Sequence, residues 1–227
     1  MTDKHLSTHF DKDLKLLLDK LIFMGNSVEL QLQRTMSALS NANEDALEEI
    51  FQTEQKIDAM EITIDQGCSE VIVMRQPVAR DLRFVLAVSK AVAILERAAD
   101  ETIRIAKRIR SLGGENVINP ADMANIMHLG EMAGVILKHA LDAFANMDAK
   151  NASEIMLEDK AINMEFYNLR DNFMKAIKEN PESITVYLDL LVIVKALERV
   201  GDYAKKIAEF IVYVVQGTDV RHNKEKA

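Results

Sequence analysis

The chain has 227 residues, enough to bury a substantial core as one or two domains, and with 48% hydrophobic and 28% charged residues it has the composition of a soluble globular protein. A net charge of −8 without a basic stripe speaks against nucleic acid as a partner, because neutralising phosphates needs Lys and Arg clustered on one exposed face. Three prolines, eight glycines and no tryptophan, among many Ala, Leu, Ile, Met, Glu and Lys, leave little turn material for a sheet and predict an all-α fold.

The first residues, Met1-Thr2-Asp3-Lys4-His5, lack the apolar stretch of a secretory signal. Phe10, Leu14, Leu17, Leu21, Met24, Val28, Leu32, Thr35 and Leu39 then recur at spacings of three and four, which predicts one long amphipathic helix. Asn41-Ala42-Asn43 breaks it. A second stripe through Leu47, Ile50, Ile57, Ile64 and Val71 follows a seven-residue period, as bundle packing requires, and stops at Gln76-Pro77. Cys68 in that stripe has no partner for an internal disulfide and reads as a small buried hydrophobe in a reducing compartment.

Pro77 suits the first turn of a third helix, with Asp81 near its N-terminus, running to about Ser111. Leu112 to Pro120 is the Gly- and Pro-bearing linker. Beyond it the plan repeats: a helix from about Ala121 to Ala145, another from about Asn151 to Lys178, a break at Pro181 and a last helix from about Glu182 to Val215. The apolar run Tyr187–Val194 is cut off by Lys195 and Glu198, and no stretch of about 18 uncharged apolar residues could span a bilayer. The chain is therefore expected to be cytoplasmic. Six helices of about 30 residues, each roughly 45 Å long, predict two tandem three-helix bundles.

The repetition reaches individual residues. Leu95-Glu96-Arg97-Ala98-Ala99-Asp100 returns as Leu197-Glu198-Arg199-Val200-Gly201-Asp202 at an offset of 102 residues, and Arg104, Ile105 and Ala106 return as Lys206, Ile207 and Ala208. Upstream, Met24-Gly25 matches Leu129-Gly130, Leu39 matches Phe144, Glu54 matches Asp159 and Ile57 matches Ile162 at an offset of 105 residues. Internal similarity on this scale marks a tandem duplication. It divides the chain into a first bundle (1–112), a linker (113–120), a second bundle (121–217) and a tail (218–227).

Glu96 falls in or beside an otherwise apolar seam, with Asp100 one turn on, and an ionised carboxylate out of water needs solvent, a cationic side chain or a metal ion. Glu54, Asp58, Glu61 and Asp65 lie along one face of the second helix. If that face meets Glu96 and Asp100, the result is an all-oxygen cluster suited to Mg, Mn, Ca or ferric Fe. Asp159, Asn163, Glu198 and Asp202 are the equivalents in the second bundle. Arg97, Arg104 and Lys107 offer a purely ionic resolution instead.

A ferritin-like di-iron site would need Glu-x-x-His on two helices, which neither repeat has. His128 and His139 share a helical face, while His5, His9 and His222 read as terminal and solvated. No G-x-S-x-G turn, glycine-rich phosphate loop or paired cysteine nucleophile is present, so no catalytic residue is expected. The twelve methionines read as core filler, or less commonly as adaptable partner surface.

The duplicated Glu-Arg-x-x-Asp helices, the stretch Gln76-Pro77-Val78-Ala79-Arg80-Asp81-Leu82-Arg83 and the ending Ile211-Val212-Tyr213-Val214-Val215-Gln216-Gly217 together closely resemble the PhoU family over nearly the whole chain. The resemblance implies two three-helix bundles, a homodimer and no enzyme activity. It implies a cytoplasmic repressor of the phosphate-starvation response and of phosphate uptake, peripheral to membrane complexes. Its implied partners are the ATPase subunit of the phosphate transporter and the sensor histidine kinase.

The resemblance also implies multinuclear metal binding, which would fall on Glu54, Asp58, Glu96 and Asp100 in the first unit and on Asp159, Glu198 and Asp202 in the second. This chain departs from the family pattern at Ala99, where Gly is common, at Asn163, where Asp is usual, and at Arg104 and Lys206, where Asn is frequent. Arg104 and Lys206 are within i,i+4 reach of Asp100 and Asp202, so cations could replace the metal there. A metal-binding or metal-storage bundle, and an enzyme with a carboxylate site, are the alternatives to the regulatory adaptor.

Overall fold

The computed structural model describes residues 8–41, 43–113 and 118–219. They form α1 (Thr8–Ser40), α2 (Glu44–Arg75), α3 (Ala79–Leu112), α4 (Pro120–Asn146), α5 (Ala149–Glu179) and α6 (Ile184–Gln216), with a 3₁₀ turn at Pro181–Ser183 before the last. The all-α expectation holds, with six long helices in the anticipated order. His5, His222, most of the tail and the centre of the linker lie outside the described residues.

Local chemistry explains the boundaries. Asn43, Asn119 and Asp148 cap α2, α4 and α5, each side chain accepting from backbone N–H groups of the first turn. At the other ends Gln76, Gly113, Met147 and Gly217 take the left-handed conformation that closes a helix. The expectation for Pro77 needs correction. Gln76 turns the chain left-handed, Val78 is extended as the N-cap, and α3 starts at Ala79, so Pro77 sits in the connection rather than in the first helical turn.

Within each half the three helices pack on one another, and the halves join through α3 against α6 and α1 against α4. Among the described residues α2 and α5 make no contact with the opposite half, and they form the outer layers. The apolar faces merge into one continuous core running through both halves, from Leu17 to Val214. None of the described helices is long and apolar enough to cross a membrane.

The junction has an internal two-fold character. Gly25 of α1 abuts Leu141 of α4, and Gly130 of α4 abuts Met36 of α1. The glycines are equivalent under the 105-residue offset, and so are Met36 and Leu141. A Cβ on Gly25 would run into the Leu141 side chain, and one on Gly130 would stand 2.5 Å from Met36 Cε. Each glycine therefore lets the opposing helix come close, and the contact is made twice, reciprocally.

Candidate functional site

The sequence left open whether the acids of the second and third helices face each other, and in the first half they do. α2 presents Glu54, Asp58 and Glu61 to Glu96 and Asp100 of α3, with Asp58 and Asp100 exposed and Glu54, Glu61 and Glu96 half-buried. Gln31 of α1, fully buried, anchors one corner: its Nε2 donates to Glu54 Oε2 at 2.8 Å and to the Ile50 carbonyl at 3.3 Å. Glu54 Oε1 is buried without a hydrogen-bond partner. Asp65, the fourth acid of the α2 face, accepts from Ser89 of α3.

Burial pushes the Glu54 carboxyl up to about 7, against the pull of the Gln31 hydrogen bond and with help from the charges of Asp58, Asp100 and Glu96. Burial likewise raises Glu96, with Asp100, Glu61 and Asp58 adding to it, and raises Glu61, with Asp58 and Asp65 adding; Arg97 opposes both shifts. Among the described residues no ion pair reaches Glu54, Asp58, Glu61, Glu96 or Asp100. Beyond the distant charge of Arg97, the first cluster holds its carboxylates without an ion pair in contact.

A pH dependence follows with a definite sign. Burial pushes the Glu54 carboxyl up to about 7 in the folded chain, against an ordinary carboxylate value of 4.5 when unfolded, so the folded state holds the extra proton between those values. Its contribution is fully present below about pH 4.5 and is lost as pH rises through about 7. Glu54→Gln is expected to flatten this loss. In EDTA the variant should gain about 1–2 kcal/mol on the wild type between about pH 5 and about pH 8, the shift being discounted for solvent screening at a half-buried group. Urea unfolding at the two pH values reads it out; parallel curves for both proteins would remove Glu54 as the source.

The second half resolves the same problem differently. Asp159 of α5, 1% exposed, accepts from Lys205 Nζ of α6 at 3.0 Å and from Asn163 Nδ2 at 3.3 Å. Glu198 of α6, 6% exposed, pairs with Lys195 Nζ at 2.5 Å. Burial works against the Lys205 ammonium, but the bond to Asp159 together with the charges of Asp159, Glu209 and Asp202 holds its pKa above the usual range. Asp202 is raised by burial and by the charges of Glu198 and Asp159, while Lys206 and Lys195 pull the other way. Lys206 lies over the Tyr203 ring, 5.0 Å from its centroid.

One buried charge escaped the sequence reading. Glu101, 3% exposed, sits in the α3–α6 junction, where its Oε1 accepts from Arg199 Nη1 at 3.0 Å and its Oε2 lies 3.3 Å from Arg104 Nε. Arg104, expected beside Asp100, therefore pairs with Glu101. The hydrogen bond from Arg199 to Glu101 holds the guanidinium pKa above its ordinary value. Under the duplication the counterpart of Glu101 is Tyr203, whose hydroxyl is raised by burial and by the Glu101 charge.

The remaining candidates are quickly placed. Cys68 is buried, and burial pushes its thiol up to about 12, which leaves it a poor nucleophile. His9 and His128 are exposed, and His139 is exposed with its Nδ1 at 2.9 Å from Glu158. Met24 and Met36 fill the core, whereas Met74, Met164 and Met174 are exposed, so the methionines divide between filler and surface. Among the described residues no three His, Cys, Asp or Glu side chains are already grouped to hold a metal ion.

Comparison with known proteins agrees with this architecture. The PhoU domain family matches the chain twice, over residues 21–109 and 126–211. A phosphate-specific transport system accessory protein PhoU homolog from Burkholderia sp is 39% identical, over 98% of this chain and 95% of its own length. The phosphate-specific transport system accessory protein PhoU of Escherichia coli K12 is 32% identical, over 97% and 90% respectively. Among solved structures, PhoU from Pseudomonas aeruginosa superposes with a TM-score of 0.87 at 32% identity, covering 92% of this chain and all of that one. The phosphate transport system regulatory protein PhoU from Streptococcus pneumoniae gives 0.86 at 26% identity, over 93% of this chain and 99% of that one. With its doubled three-helix unit, its paired acid clusters and these full-length relatives, the chain belongs to the PhoU family.

Proposed function

We propose that this chain is a cytoplasmic regulator of phosphate homeostasis. It represses the phosphate-starvation regulon and phosphate uptake as a homodimeric adaptor between the transporter's ATPase subunit and the sensor histidine kinase. The observation that carries this reading is end-to-end similarity, in sequence and in fold, to proteins named as accessory to phosphate-specific transport. A helical bundle whose buried thiol is a poor nucleophile suits an adaptor better than an enzyme. The two units, 1–112 and 121–217, would offer each partner a long helical face.

Calorimetric titration against the cytoplasmic part of the histidine kinase, and separately against the ATPase subunit, tests the reading. Saturable binding without any turnover, together with derepressed phosphate uptake when the gene is deleted, is the expected outcome. Absence of binding to both partners would overturn it.

The second reading, a metal centre, is favoured by one observation in the first unit: a buried Glu54 oxygen without a hydrogen bond, among carboxylates that no ion pair neutralises. Glu54, Asp58, Glu96 and Asp100 would hold a hard ion such as Mg, Mn or Fe, the exposed Asp58 and Asp100 turning inward to complete the set. A bound ion would supply the compensating charge. Repeating the titrations after chelation and after adding Mg or Mn separates a structural ion from one that switches partner binding.

A further inference from the structure

The two acid clusters occupy equivalent places in the duplicated fold but carry different charge. The first unit brings Glu54, Asp58, Glu61, Asp65, Glu96 and Asp100. At the corresponding positions the second has Asp159, Asn163, Phe166, Arg170, Glu198 and Asp202, so three of the six acids are gone. Besides Arg170, which pairs with Asp171, it has gained two cations that contact its own acids. Lys195 and Lys205, which bind Glu198 and Asp159, stand where the first unit has Ala93 and Ile103.

We infer that the second unit has exchanged its cation site for built-in ammonium groups. Lys195 and Lys205 supply internally the positive charge that a metal ion would supply in the first unit, so the duplicated sites are unequal and only the first takes an ion. This rests on the metal reading of the first unit for its contrast, but the claim about the second unit stands on its own ion pairs.

The geometry gives the reason. Asp159 is among the most buried charged groups in the molecule, and a carboxylate there is tolerated only with a partner in contact. Lys205 crosses from α6 to α5 to provide it, while Lys195 reaches Glu198 within α6 and also lies over the Phe166 ring, 5.1 Å from its centroid. Phe166 stands at the position of Glu61, so an acid of the first cluster has become, in the second, an aromatic seat for the lysine. Asp159 Oδ1 keeps no hydrogen bond, but with Lys205 on the other oxygen of Asp159 and Lys195 on Glu198, a divalent cation entering between them would meet two ammonium groups.

The test restores the first unit's residues to the second. Mn²⁺ binding is measured on the full chain by equilibrium dialysis, with melting followed by circular dichroism in EDTA and in Mn²⁺. In the wild-type background Glu198→Gln should leave bound Mn²⁺ unchanged, whereas Glu54→Gln/Glu96→Gln should remove it. Lys195→Ala/Lys205→Ile should lower the melting temperature in EDTA, recover it in Mn²⁺ and bind roughly one further ion per chain, a gain abolished by adding Glu198→Gln.

If the double variant does not fold in EDTA, folding rescued by Mn²⁺ supports the inference, and Lys195→Ala together with the wild-type arm carries the test in any case. Release of Mn²⁺ from the wild type by Glu198→Gln overturns the proposal, as does a folded double variant with no added capacity. A wild type that binds no Mn²⁺, alongside a double variant that gains a site, would overturn only the metal reading of the first unit.

Discussion

Arg199→Met is expected to lower the free energy of unfolding by about 3 kcal/mol, because it strips the principal partner from a carboxylate that cannot reach water. Glu101 is 3% exposed at the α3–α6 junction, and only Arg199 gives it a well-formed hydrogen bond; Arg104 approaches the other oxygen, which remains without one. The loss should appear as a melting temperature lower by about 6–12 °C in a chain of this size. Glu101→Met added to Arg199→Met should recover stability to within about 1 kcal/mol of the wild type, since a buried pair replaced by apolar side chains of similar volume is close to neutral. Urea unfolding of the two single variants and the double variant, followed by circular dichroism, closes the cycle. A change of under about 0.5 kcal/mol for Arg199→Met would show that Arg104 suffices or that water enters the junction.

Gly25→Leu/Gly130→Leu is expected to cost about 3 kcal/mol, with the loss divided between the two positions. Overfilling a packed contact typically costs about 1–3 kcal/mol per site, and replacing a mid-helix glycine returns about 1 kcal/mol of helix propensity. The steric cost should be larger at Gly25, where Leu141 is buried, than at Gly130, where Met36 borders a cleft between α1 and α4 into which its thioether can move. Gly134, on the same helix, supplies the control. A Cβ there would find only Leu32 Cδ2, at an ordinary 4.0 Å, so Gly134→Ala should be neutral or stabilise by up to about 1 kcal/mol. Losses at both Gly25 and Gly130 would mark the contact as reciprocal. A stabilising Gly25→Leu would mean that the helices separate freely.

Much of this molecule was legible in its sequence, because long helices announce themselves by period and by their breaks. The stripe from Phe10 to Leu39, the break near Asn43 and the return of Leu-Glu-Arg-x-x-Asp led to six helices in two halves, and the acids of α2, lined up on one face in the sequence, lie beside those of α3. What could not be read was the choice of partner across helices. α3 and α6 each pack on three other helices, so which flank of the apolar face carries a buried charge is decided by tertiary packing that the period alone does not reveal. Glu101, next to Asp100, drew no reading, yet it is the buried one and Asp100 is exposed. Lys195 read only as the end of an apolar run and Lys205 drew no reading, although comparison with Ala93 and Ile103 marks both as charges peculiar to the second half. Pro77 was misplaced because a proline fits the first turn of a helix as well as the residues before it, and only the left-handed Gln76 decides.

The reciprocal packing of Gly25 on Leu141 and Gly130 on Met36 also bears on how such a molecule can change over time. In an assembly of two identical chains every substitution appears on both sides of the axis, so a new lysine would silence both acid clusters at once. Here the two sides are covalently joined but separately encoded, and their association is unimolecular, independent of how dilute the protein becomes. One half can therefore lose a ligand-binding chemistry and become scaffold while the other retains it, without weakening the contact that holds the pair together.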